Sequence, residues 1–377
     1  MDSTQAREFI QAALKIMKVR SASDLIIVPG AKPGIKINGD VTFMGEKILF
    51  PDDTRAIAQT LMDEGQWQTF MQKQELNFAV SIAQVGRFRA NALIQRSSIG
   101  LVFRSIHSEI PAFSALGVPQ VASEWAMLPR GLVIVTGATS SGKTTTMAAM
   151  VDYRNTHLGG HTITMEDPVE YVHRHKKGIV TQREVGVDTE SYETALKNAL
   201  RQSPDAILVG EVRSREVMEE TIRAAETGHL VLCTLHATNA PLAIERALDL
   251  FPLESRDQVR QSLALELKGV LAQRLVPKQD GSGRVLALEV LINTMTVAEL
   301  IHKGQIPEIR DIMSRSRESG MQTFDQSIFD FYDAGLISYD TALLASDRPS
   351  DLRLRIKLES KRGQPVSEKP MKDIRIL

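Results

Sequence analysis

Hydrophobic positions along this chain follow two periods, and the places where the period changes divide it. Residues 5–18 set Phe9, Ile10, Ala13, Leu14 and Met17 at helical spacing, and Leu25-Ile26-Ile27-Val28 then predicts a strand closed by Pro29-Gly30. Ile35 and Ile37 alternate into Asn38-Gly39, and Val41 and Phe43 alternate out of it, which predicts a β-hairpin. Phe88 to Gln95 and Gly100 to Ile106 complete a small α/β unit, after which Pro111, Gly117 and Pro119 interrupt the pattern. From Arg130 onward, strands expected at 131–136, 161–165, 206–210, 229–235 and 284–292 alternate with helical patterns. That order argues for a largely parallel sheet covered by helices, with ligands at the carboxyl ends of its strands. Beyond residue 295 the pattern is helical, and from Glu359 the chain is polar, has no period and is expected to be poorly ordered. The breaks give an N-terminal domain at 1–107, a linker at 108–119, a core at 120–295, a helical region at 296–357 and a polar tail at 358–377.

Composition narrows the classes. The 377 residues suffice for two or three domains with substantial cores. Lys and Arg number 45 against 46 Asp and Glu, so no global basic field points to nucleic acid, and none is expected as a partner. Cys233 is the single cysteine, which excludes an internal disulfide and a cysteine-cluster zinc site. It follows Leu230-Val231-Leu232 and reads as a small buried hydrophobe. The start Met1-Asp2-Ser3-Thr4 has no leader-like basic and apolar segments, and no uncharged apolar run reaches ~18 residues, so a cytoplasmic location is expected.

The strongest chemical signal is Gly137-Ala138-Thr139-Ser140-Ser141-Gly142-Lys143-Thr144, a complete G-x-x-x-x-G-K-T between the apolar run Leu132–Val135 and a helix-forming run that begins at Thr145. Its glycines allow successive N–H groups to face phosphate oxygens, assisted by the positive end of the following helix. Lys143 is expected to reach the β- and γ-phosphates, and the Thr144 hydroxyl to ligate Mg²⁺. The expected ligand is therefore ATP with Mg²⁺.

Charged groups follow the later strands. Thr162–Met165 runs into Glu166-Asp167-Pro168-Val169-Glu170, where three carboxylates need Mg²⁺, a lysine or water to offset their repulsion. Ile207-Leu208-Val209-Gly210 ends in Glu211 and resembles a Walker B strand, with Gly210 where an aspartate is usual. Glu211 is expected to hold Mg²⁺ through water or to position the attacking water. Lys197 and Arg201, spaced i, i+4 on an expected helix from Tyr192 to Gln202, could stabilise the γ-phosphate or merely solvate that helix. His229 and His236 bracket the next strand as candidates for sensing the nucleotide, with no companion ligands for zinc nearby.

These motifs, in this order and spacing, resemble the Walker A, Asp box, Walker B and His box of the type II/IV secretion ATPase superfamily. Thr181-Gln182-Arg183-Glu184-Val185 and Met321-Gln322-Thr323-Phe324-Asp325 extend the resemblance to its pilus-retraction branch. It covers residues 5–357. The resemblance implies a PAS-like N-terminal α/β domain joined to a RecA-like P-loop ATPase domain with a C-terminal helical segment, assembled as a homo-hexameric ring. It places nucleotide between the two domains, with Arg89 and Arg104 matching N-terminal arginines that approach the phosphates. By the same correspondence Glu170 matches the general base, Glu211 the Walker B glutamate, His229 and His236 the His-box pair, and Arg201 a phosphate-contacting arginine. Lys197 stands where that arginine's partner would be, keeping the charge and losing the planar fork.

Within the branch, Ala298 stands where independent retraction motors of the PilT type carry the arginine of Ala-Ile-Arg. Leu196-Lys197-Asn198, Gly210–Glu216 and the C-terminal extension look like the accessory, PilU-type members. The expectation is an ATP-hydrolysing motor of the type IV pilus machinery, powering or assisting retraction and twitching motility. Its expected partners are a PilT-type retraction ATPase and the inner-membrane pilus platform protein, which would hold it peripherally at the cytoplasmic face of the inner membrane. Two alternatives remain at this point: a nucleotide-gated scaffold with little hydrolysis of its own, and a RecA-like nucleic-acid translocase.

Overall fold

The computed structural model describes residues 1–37, 40–83, 85–106 and 109–362. The Asn38-Gly39 turn, Ser108 and residues 363–377 of the expected tail lie outside the described residues. The chain divides into two units.

The first unit comprises Met1–Ile110 and Val169–Val172. Its elements are α1 (Ser3–Val19), β1 (Asp24–Ile27), β2 (Gly34–Ile37), β3 (Asp40–Phe43), α2 (Pro51–Leu61), α3 (Glu64–Lys73), β4 (Glu75–Ile82), β5 (Gly86–Gln95) and β6 (Ser98–Ile106). The strands form one antiparallel sheet in the order β3-β2-β1-β6-β5-β4. Helix α1 begins with a capping box in which Asp2 accepts from the Gln5 N–H at 2.8 Å and Gln5 accepts from the Asp2 N–H at 3.1 Å. Its buried stripe, Ala6, Ile10, Ala13, Leu14 and Met17, joins Leu25, Phe88, Ala90 and Phe103 in the core of this unit. The opposite sheet face is polar, because strand side chains alternate. There Arg89 stands opposite Arg104, and Arg104 opposite Asp24. The elements α2, α3 and β4 were absent from the pattern of the sequence.

The second unit comprises Pro111–Pro168 and the chain from His173. It opens with α4 (Phe113–Leu116), α5 (Gln120–Ala126), β7 (Gly131–Gly137), α6 (Lys143–His157), β8 (His161–Glu166), β9 (Ile179–Glu184) and α7 (Tyr192–Ala199). It continues through β10 (Ala206–Val209), α8 (Arg215–Glu226), β11 (Leu230–Leu235), α9 (Ala240–Asp249), α10 (Arg256–Glu266), β12 (Leu267–Pro277) and β13 (Arg284–Ile292). The seven-stranded sheet runs β13-β12-β7-β11-β10-β8-β9, parallel throughout except for β13. Strands β7, β10 and β11 are buried at every residue, which explains their unbroken apolar runs. Cys233 lies within β11, and burial pushes its thiol up to about 12.

The described chain continues through the α-helices α11 (Met295–Lys303), α12 (Ile309–Arg315), α13 (Phe324–Asp333), α14 (Tyr339–Ala345) and α15 (Pro349–Glu359). Arg310 pairs with Asp325 at 2.7 Å and with Asp347 at 3.3 Å, and Arg274 of β12 pairs with Asp347 at 3.0 Å. Glu289 of β13 is buried and accepts from two helix starts, the Ala240 N–H of α9 at 2.7 Å and the Phe324 N–H of α13 at 3.4 Å. Residues 360–362 are tied to α13. Asp333 accepts from Ser360 and from the Lys361 N–H, and Arg362 donates to the Tyr332 carbonyl at 2.8 Å.

Candidate nucleotide site

Strand β7 delivers the phosphate loop to the carboxyl edge of the parallel sheet. Gly137 has φ +147°, and a Cβ there would stand 2.4 Å from the Gln273 carbonyl oxygen and 2.5 Å from Ser141 Oγ, so only glycine fits. Gly142 starts α6 at φ +92°, with no side chain capping the helix. Lys143, 9 % exposed, donates from Nζ to the Gly137 and Ala138 carbonyls at 2.9 Å each. Burial lowers its pKa, partly opposed by the charge of Glu211. Ala138, Thr139 and Ser140 are exposed along the loop, and Thr144 and Thr145 lie half-buried in the first turn of α6. Ser141 Oγ is buried without a protein partner, a donor of the kind that a phosphate oxygen satisfies.

The second wall comes from β8 and β10, which lie side by side with Met165 opposite Val209. Glu166, 8 % exposed, ends β8; its Oε1 accepts from Thr164 Oγ1 at 2.6 Å and Gln182 Nε2 at 3.1 Å. Glu211 follows β10 and is held by His236 Nε2 at 2.8 Å on one oxygen and Arg213 at 2.5 Å on the other. Burial acts to raise the Glu211 pKa, but the Arg213 hydrogen bond and the charges of His236 and Lys143 outweigh it, so the net shift is downward. Thr234 Oγ1 donates to the Gly210 carbonyl, and Thr136 Oγ1 bonds to the Leu235 and Ala237 carbonyls, fixing the loop that carries His236.

Lys143, Thr144, Glu166, Glu211 and His236 therefore share one edge. Arg201 and His229 do not. The Gln202 carbonyl accepts from the ring of His161, the first residue of β8, and the His229 carbonyl accepts from the N–H of Gly131, the first residue of β7. Both contacts mark the amino edge, a strand length of roughly 17 Å from the phosphate loop. Helix α7 ends at Ala199, short of the expected Gln202, and Lys197 and Arg201 line an open groove with Arg223. Lys197 pairs there with Glu193. Glu170 is exposed and lies in Val169–Val172 of the first unit. Arg89 and Arg104 belong to that unit too; the Arg104 side chain is 71 % exposed and bonds Asp24 at 2.9 Å.

Residues with no role at the site assigned from the sequence complete the carboxyl edge: Thr164, Gln182, Arg213 and Tyr192. Thr164 was legible as the same-face neighbour two residues before Glu166. The place of Gln182 beside Glu166 was not, because its motif lies on β9, a strand invisible in the hydrophobic pattern. Among the described residues no three His, Cys, Asp or Glu side chains converge to hold a metal by themselves. The oxygen donors Thr144, Glu211 and Glu166 suit Mg²⁺ in the company of phosphate oxygens, since that ion keeps several waters and few protein ligands.

The family model described as Type II/IV secretion system protein matches residues 72–341. The chain belongs to the type II/IV secretion system protein family. The type IV pilus ATPase PilU of Pseudomonas aeruginosa is 48 % identical over 347 residues, covering 92 % of this chain and 91 % of that protein. The type IV pilus retraction ATPase PilT of the same species is 41 % identical over 323 residues, covering 86 % and 94 %. The crystal structure of the pilus retraction motor PilT with bound ADP superposes with a TM-score of 0.85 at 42 % identity, covering 90 % of this chain and 98 % of that one. This family member is a P-loop ATPase of the retraction branch, with an N-terminal domain followed by a RecA-like domain. Among the described residues no helix is long and apolar enough to cross a membrane.

Proposed function

We propose that this chain is a motor ATPase of the type IV pilus machinery that assists retraction alongside a PilT-type ATPase. The observation that carries the hydrolytic half is the ion-paired Glu211, held by Arg213 and His236 across the edge from Lys143. A motor needs a carboxylate that stays ionised beside the γ-phosphate, and the net downward shift of the Glu211 pKa keeps it so. The pilus half rests on likeness to PilU and PilT along most of the chain.

The loop N–H groups and Lys143 bind the phosphates of ATP, Thr144 and Glu211 are the residues that would hold Mg²⁺, and Mg²⁺ would neutralise charge on the phosphates. Glu211 orients water toward the γ-phosphorus. The water oxygen bonds to that phosphorus as the bridging bond to ADP breaks, and the water proton passes to a carboxylate. We assign that carboxylate to Glu170 on the family correspondence, with Glu166 as the competitor that the second unit itself supplies. Arg201 and His229, at the amino edge, act across a subunit boundary in a homo-hexamer. Arg89 and Arg104 serve the phosphates from the first unit. The ring works at the cytoplasmic face of the inner membrane against the pilus platform protein.

The test is steady-state ATP hydrolysis by the purified chain and its Lys143→Ala variant, alone and with a PilT-type ATPase. Lys143-dependent turnover by the chain alone supports a motor in its own right. Tight ATP binding without turnover in either condition would replace it with a nucleotide-gated scaffold.

A further inference from the structure

Gly210 breaks the Walker B pattern of the sequence, and the structure gives a steric reason. A Cβ built on Gly210 would stand 2.9 Å from the Tyr192 hydroxyl oxygen, 2.9 Å from the Met165 carbonyl oxygen and 3.2 Å from the Glu166 Cα. The Met165 carbonyl already accepts from the Gly210 N–H at 2.7 Å, so that neighbour cannot withdraw. The phenol hydroxyl thus lies over the seam where β8 and β10 end, in the space that an aspartate at 210 would need.

Local sequence puts it there. Ser191 caps α7 by accepting from the Thr194 N–H at 3.1 Å, which makes Tyr192 the first helical residue. Because α7 precedes β10 and runs back along the parallel sheet, this first residue stands at the carboxyl edge while Ala199 points toward the amino edge. The Tyr192 ring packs against the apolar core, and its hydroxyl faces the acidic end of the site.

We infer that Tyr192 is a positioning residue for hydrolysis, its hydroxyl donating into the Glu166 and Glu211 carboxylates and the water between them; this deepens the ATPase reading above and rests on it. The hydroxyl sits against the ends of β8 and β10, which lead into Glu166 and Glu211, so Tyr192 stands there as a donor among acceptors. The acidic partners already have their other ties: Thr164 and Gln182 on Glu166, His236 and Arg213 on Glu211. A further donor between the two sets the angle at which a water can bridge them. No proton leaves Tyr192 in this role.

The experiment compares wild type with Tyr192→Phe, which keeps the ring packing and removes only the hydroxyl. The expected result is a kcat about tenfold lower, with KM for ATP and affinity for ADP within about twofold of wild type. Binding of ADP with aluminium fluoride and Mg²⁺, a mimic of the transition state, should weaken by about the same tenfold. Gly210→Ala, whose methyl crowds the hydroxyl, should lower kcat at least as far. An unchanged kcat in Tyr192→Phe overturns the inference, and so does a loss that falls equally on ADP affinity and thermal midpoint, which would mark a packing role. Absence of hydrolysis in the wild type would overturn the ATPase reading itself and this inference with it.

Discussion

At the carboxyl edge of the seven-stranded sheet Lys143, Glu211, Arg213 and His236 interact with one another, whereas at the amino edge similar residue types meet only local company. Lys197 pairs with Glu193 one turn away, and His229 bonds Thr227 and the Ala224 carbonyl. The difference comes from chain direction. Six residues of β11 separate His229 from His236, so a motif that looks like one pair in sequence is split between opposite edges. A helix that leads into a parallel strand finishes at that strand's start, and this carries Arg201 away from the phosphate loop. A single chain therefore has its nucleotide chemistry at one edge, while Lys197, Arg201 and His229 lie at the other among local partners.

Replacing Lys143 by Ala should break the comparison most severely, with ATP turnover falling by about 10³-fold as measured by phosphate release. Glu211→Gln keeps the shape and removes the charge that Arg213 and His236 hold. A loss of about 10²-fold in kcat is expected, with nucleotide affinity measured by fluorescent ADP little changed. The base assignment is tested by Glu170→Gln beside Glu166→Gln. The first should lose the larger share of kcat, and the reverse order would move the base to the second unit.

Acid stability probes the flank of the carboxyl edge. His173 is buried, and burial pulls its pKa down to about 4, with Asp152 opposing and Lys176 adding to the shift. The unfolded imidazole takes its proton near 6.5, so the unfolded chain binds more protons between 6.5 and about 4. Stability is complete above 6.5 and falls as pH drops through that window, by up to about 1.4 kcal/mol per pH unit from this one group. His173→Gln should flatten the slope in chemical denaturation across the same range. The smallest effects belong to the amino edge: Arg201→Ala and His229→Ala should leave ADP affinity of the isolated chain within about twofold, while lowering turnover of the assembled ring. A large drop in single-chain affinity would place those residues in their own chain's site.

Most of the second unit was legible because its buried parallel strands are unbroken apolar runs. The strands that escaped have identifiable reasons. Strand β12 starts at Leu267 immediately after α10 ends at Glu266, with no turn residue between them. Gly269 within it suggests a break, yet it is there because a Cβ would stand 2.1 Å from the Trp125 ring. Strand β9 is an edge strand carrying Thr181, Gln182 and Arg183, too polar to read as core. In the site, the phosphate loop and Glu211 could be read directly, since each is contiguous with its strand. Tyr192 could not: its relation to Gly210 spans a helix and a loop, and only packing reveals it.

The buried carboxyl of Glu289 has a mechanical meaning. It ties the start of α9, just past the His236 loop, to the start of α13 in the C-terminal helices. Burial raises its pKa to about 7 against the pull of those two N–H donors. Shifting the start of α9 relative to the start of α13 costs one of these two hydrogen bonds. One side chain thus works as a tie rod between the starts of two helices, each pinned to β13 through a single carboxylate.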